Sequence, residues 1–182
     1  LDLDLIVDLA KSMCVRVFQL QDQGVAHRNF KPANVVRRPD GEVGLIDIDT
    51  LEHLGEHYDP LLGNPWCMPP ERYQGKGTTH GSEIHSVGMV TANMMGEKFM
   101  EALYPPLATV SDPKLLRSWL IKDKTEGNFV DADAKERADS LVTTYPEEQQ
   151  MVYRGLVNFV IACANQEPKD RPQNLQDLNG LL

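Results

Sequence analysis

The chain has 182 residues, 41% hydrophobic and 25% charged, the make-up of one globular domain able to bury a single core. A formal net charge of -9, with lysine and arginine scattered among the acids, argues against a nucleic-acid partner. No run reaches the roughly 18 apolar residues that a membrane span needs, and Cys14, Cys67 and Cys163 lie too far apart for a zinc or disulfide framework, which leaves them as buried or free thiols.

The opening Leu1-Asp2-Leu3-Asp4-Leu5 lacks the basic start of a signal peptide, so the chain reads as part of a longer protein. Leu5, Ile6, Leu9, Ala10, Met13, Cys14, Val17 and Phe18 recur at helical spacing, and Gly24 is the expected stop of a first helix within 1–24. Short apolar pairs follow: Val25-Ala26, Val35-Val36 and Val43 to Ile46, the last two joined as a hairpin by Pro39-Asp40-Gly41. Thr50 to Pro70 has no period and reads as a long loop. A core helix is expected from Ser82, which can cap it, to Met95, and Asp112-Pro113 opens another. Residues 122–148 read as a polar insert with one surface helix near 131–141. An apolar helix over 151–164 and a closing helix over 172–182 complete a mainly helical chain.

The informative segment is His27-Arg28-Asn29-Phe30-Lys31-Pro32-Ala33-Asn34, with Ile46-Asp47-Ile48-Asp49 across the hairpin. It resembles the catalytic loop H-R-D-L-K-P-x-N and the D-F-G motif of the protein kinase superfamily. Gly63 to Glu71 resembles the end of an activation segment, Glu83 to Gly88 the D-x-W-S-x-G start of a central helix, and Lys169-Asp170-Arg171-Pro172 a K-x-R-P near the end. Five ordered segments carry far more weight than one.

This resemblance implies a mainly α fold with short β-hairpins, the C-terminal lobe of a kinase, with no counterpart here of the N-terminal lobe. It divides the chain into a first helix (1–24), a catalytic-type loop and metal-type motif (25–49), an activation-type segment (50–71) and a helical body (82–182). It also implies nucleotide binding through Lys31, Asn34 and Asp47, with Asn34 and Asp47 as oxygen ligands of magnesium. Glu71 and Arg171 are the implied buried ion pair, and Arg28 is expected to take a local acidic partner, Thr50 and Tyr58 being the nearby hydroxyls.

The departures bear on activity. Asn29 stands where the family has the aspartate that takes or orients the substrate's proton, and an amide is no base near neutral pH. Asp49 replaces a glycine and adds a second carboxylate beside Asp47. No intact catalytic set remains, so the expectation is a pseudokinase, a scaffold or regulatory module whose partner is another protein, either an active kinase or a host factor. The alternative is a weak kinase or small-molecule phosphotransferase using Asp47 and Asn34 for metal. ATP and Mg2+ are expected cofactors of the full-length protein only. A weaker likeness to secreted rhoptry-type parasite pseudokinases, carried by the spacing of Asp40-Gly41, Asp47 to Leu51, Gly55 and Thr78-Thr79-His80, implies secretion into a vacuole or host cell; without it the protein is expected in the cytoplasm.

Overall fold

Asp2 starts the first helix: its carboxylate accepts a hydrogen bond from the Asp4 N–H at 3.0 Å. The structure, a computed structural model, describes residues 2–56, 63–127 and 129–182. Helix α1 (Leu3–Asp22) buries Leu3, Ile6, Ala10, Met13, Cys14 and Val17 along one stripe, and the chain leaves it through Gly24 at φ 73°.

That stripe packs against α3 (His80–Met95) and α8 (Glu147–Cys163). Helix α3 is buried on nearly every side, as its apolar pattern predicts. Its start differs from the expected one. Thr79 is the cap, and Ser82 is the third helical residue of a capping box, accepting from the Thr79 N–H at 2.9 Å. Gly88 lets α3 approach α8 closely, because a β-carbon there would collide with Cβ of Cys163.

Two small antiparallel ribbons precede this body. Strand β2 (Val35–Arg37) pairs with β3 (Val43–Leu45), with Val36 opposite Gly44. Strand β1 (Val25–Ala26) pairs with β4 (Glu52–His53), Ala26 opposite Glu52. The second pairing corrects the reading of Thr50 to Pro70 as featureless loop: a two-residue strand, half of it charged, leaves no period to detect. Tyr58 lies outside the described residues.

After the short α2 (Pro70–Tyr73) and α3 come α4 (Glu97–Leu103), α5 (Pro106–Thr109) and α6 (Pro113–Glu126). Asp112 caps α6 by accepting from the Lys114 N–H at 2.9 Å. The supposed insert begins inside α6, and Lys124 within it is buried. Helix α7 (Ala134–Ser140) and a 3-10 turn at Leu141–Thr144 occupy its later part. The closing helix α9 (Leu175–Asn179) is shorter than expected, since Asn174, not the Pro172 region, caps it through the N–H groups of Gln176 and Asp177. The fold is mainly helical with short strands, and among the described residues no helix is long and apolar enough to cross a membrane.

Candidate functional site

The loop from His27 to Asn34 connects β1 to β2 and is anchored on α3 by Glu83. One carboxylate oxygen of Glu83 accepts from the His27 N–H at 2.8 Å and the other from the Arg28 N–H at 3.0 Å. Burial pushes the Glu83 carboxyl up, against the pull of those two N–H groups and of Arg72. Arg28 at φ 67° and Asp47 at φ 64° are both left-handed, one in each of the two loops that meet here.

Side chains tie the loops together. The His27 ring meets the Ile46 carbonyl at 2.9 Å through Nε2 and packs edge-on against Phe30. Arg28 pairs with Glu52 of β4, both buried, which gives it the local acidic partner. The Thr50 hydroxyl donates to the His27 carbonyl at 2.8 Å, so it serves as a brace between the loops.

Asn29, Asn34 and Asp47 converge. The Asn29 amide donates to Asp47 Oδ2 at 3.0 Å, and the Asn34 amide donates to the same oxygen at 3.2 Å and to the Asn29 carbonyl at 2.9 Å. With its nitrogen used in this way, Asn34 keeps its side-chain oxygen as a candidate ligand atom, and Asp47 keeps Oδ1. One carboxylate and one amide oxygen suit magnesium, a hard ion that keeps several waters and is commonly held by one or two protein ligands plus phosphates. Among the described residues no three His, Cys, Asp or Glu side chains gather into a metal site, which is a poor arrangement for zinc. Asp49 is exposed in the 3-10 turn Ile48–Thr50. Lys31 is half-buried, and among the described residues its ammonium makes no hydrogen bond to this cluster; its charge acts on the Cys67 thiol instead.

Beside Asp47 the hairpin presents an open apolar hollow of about 500 Å³ that includes Val36, Leu45, Ile46, Ile48 and Leu51. A second cavity of about 500 Å³ is lined by Pro32 of the loop and by Trp66, Cys67, Met100, Glu101 and Leu116.

Glu71 and Arg171 meet in the interior, two oxygens to two nitrogens, at 2.8 and 2.9 Å. The remaining donors of Arg171 go to the carbonyls of Gly81, Asn165 and Gln166, and Ser82 donates to Glu71 at 2.8 Å. All five guanidinium N–H groups are thereby satisfied. Burial alone would raise the Glu71 carboxyl, and Arg171 more than reverses that, holding it below the usual range. Two residues of this architecture gave little sequence signal: Glu83, hidden as an acid-for-acid variant in a motif, and Lys124, whose four-residue spacing from Leu116 and Leu120 was the available clue.

The sequence matches the family described as Protein kinase domain over residues 3–179. The chain belongs to that family. It is 28% identical over 170 residues to serine/threonine-protein kinase ppk11 of Schizosaccharomyces pombe, covering 91% of this chain and 46% of that protein. It is 23% identical over 172 residues to MAP kinase kinase MKK1/SSP32 of Saccharomyces cerevisiae, covering 94% of this chain and 31% of that protein. The chain thus spans less than half the length of these curated relatives. Within the kinase domain, the loop from His27 to Asn34 is the segment where active members carry H-R-D-x-x-x-x-N, and Asn29 takes the place of its aspartate.

Proposed function

We propose that this kinase domain works as a pseudokinase, a kinase-fold regulatory or scaffolding module whose partner is another protein. The observation that carries this reading is the bond from the Asn29 amide to Asp47 Oδ2 at 3.0 Å. At the position where an active member needs a proton acceptor, this chain has a donor directed into the neighbouring carboxylate. An amide oxygen has no useful basicity near neutral pH, so general-base assistance, typically worth about 10² to 10⁴ in rate, is lost.

The binding half of the site supports a retained nucleotide role in the full-length protein. Asn34 and Asp47 offer oxygen ligands at the edge of the apolar hollow around Val36 and Ile46, which suits a flat base beside charged phosphates. Magnesium, when bound there, would screen phosphate charge. Asn29 and Asn34 orient the carboxylate that holds it.

A thermal-shift measurement on the full-length protein, with ATP in the presence and absence of magnesium, tests this together with a phosphotransfer assay. Magnesium-dependent stabilisation without transfer is the expected result. Transfer to a protein or small-molecule hydroxyl would favour the phosphotransferase alternative. The secreted parasite-type reading rests on sequence spacing alone, and following the tagged full-length protein by microscopy tests it.

A further inference from the structure

Leu116, Leu120 and Lys124 succeed one another at four-residue steps on α6, which carries Lys124 onto the inward face of the helix. Its ammonium is buried, donating to the Trp66 carbonyl at 2.8 Å and the Met68 carbonyl at 2.7 Å, with the Phe129 ring centroid 4.3 Å away. The carbonyl between those two, that of Cys67, accepts from Ser86 Oγ at 2.8 Å and lies 3.3 Å from His85 Nδ1, both from α3. Three successive carbonyls are therefore held by side chains from two helices. Trp66 and Cys67 form one wall of the cavity bounded by Met100, Glu101 and Leu116.

Among the described residues no carboxylate makes an ion pair with Lys124. Two carbonyl dipoles and an aromatic face replace only part of the water an ammonium gives up. Such a group sits close to the balance between its charged and neutral forms, unlike the neighbouring Arg171, which has a matched carboxylate.

We infer that Lys124 is the positioning residue of this cavity wall: its charged ammonium holds Trp66 to Met68 in place, and loss of its proton loosens the wall and changes the cavity's shape. A neutral amine keeps donors but loses charge assistance, which roughly doubles the strength of such bonds, and loses the attraction to the Phe129 ring. Burial brings Lys124 down to about 7, with Arg171 adding to the fall and Cys67 and Glu71 opposing it. The facing groups stay fixed around neutrality. Burial raises the Cys67 thiol to about 11, and burial, then Lys124 and Arg171, hold His85 well below its usual range. Glu71 remains ionised against Arg171.

The test uses the emission of Trp66 in a Trp119→Phe background, where Trp66 is the remaining tryptophan of the two. Between about pH 5.5 and 9 the emission is expected to shift with a midpoint within about one unit of 7. In Lys124→Met it should stay at its alkaline position throughout, and in Lys124→Arg at its acid position. An unchanged transition in Lys124→Met, or no transition in the parent, overturns the inference. Should the variants fail to fold, NMR titration of the lysine side chains in the unsubstituted protein decides: one lysine titrating near 7 is expected, and all of them remaining near the ordinary 10.4 would contradict it.

Discussion

Asn29 and Asp47 are hydrogen-bonded neighbours: the amide nitrogen of one lies 3.0 Å from a carboxylate oxygen of the other. The residue at the base position and the metal-type carboxylate therefore form one unit, and changing the first alters the second. Asn29→Asp would set two carboxylates within hydrogen-bonding distance, so that one of them keeps a proton to higher pH. A carboxyl raised in the folded state contributes stability at low pH that is lost as pH rises through its folded value. The variant should therefore lose roughly 1 kcal/mol relative to the parent between about pH 5 and 8, with millimolar magnesium narrowing the gap. Urea denaturation at the two pH values checks this, and an equal difference at both would contradict it.

The Glu71–Arg171 pair is the interior cross-link of the lobe, joining residues one hundred positions apart. Arg171→Ala leaves a buried carboxylate unpaired and frees three carbonyls, so it should destabilise the domain by roughly 3 to 5 kcal/mol. Equilibrium denaturation measures it. A loss below about 1 kcal/mol would mean that the pair is not a buried brace.

The motifs around His27, Asp47, Glu71 and Arg171 were legible because each is a short run of fixed spacing, and the order of several such runs specifies a fold. Helix α1 and the core helix α3 were legible from periodicity. What spacing does not carry is the direction of a side chain. Nothing in the string shows Asn29 turned toward Asp47, or Glu83 serving two backbone N–H groups at once. Lys124 lies in the polar run 122–148, and charged residues are rarely buried without partners, so composition gives no sign of its burial. Strand β4 has no sequence signature because two residues have no period, and its pairing with β1 depends on contacts made across the loop.

Lys124 also gives the domain a predicted pH dependence. Burial places its folded-state value at about 7 against 10.5 for the ordinary group. Between those values the unfolded chain binds more protons, so this residue's contribution to stability rises with pH across that window and is lost as pH falls through the folded value. The slope is at most about 1.4 kcal/mol per pH unit. Denaturation of the parent and of Lys124→Met at pH 7, 8 and 9 should show this rise in the parent only; parallel curves would contradict the assignment.

Because Asp47, Ile46 and Ile48 are exposed, the chain would leave a nucleotide bound at Asp47 open to water on one side. Its affinity for ATP with magnesium should be no tighter than roughly millimolar, about 4 kcal/mol of binding free energy. Calorimetry on the chain decides. A micromolar constant abolished by Asp47→Ala would show that the lobe completes a site on its own.

The proposed loss of phosphotransfer rests on Asn29, whose amide has no useful basicity near neutral pH. Its most direct test is magnesium-dependent transfer of the ATP γ-phosphate by the purified full-length protein, measured beside Asp47→Ala. Transfer indistinguishable from that variant's background is the expected result. Robust transfer by the unsubstituted protein, abolished by Asp47→Ala, would contradict it.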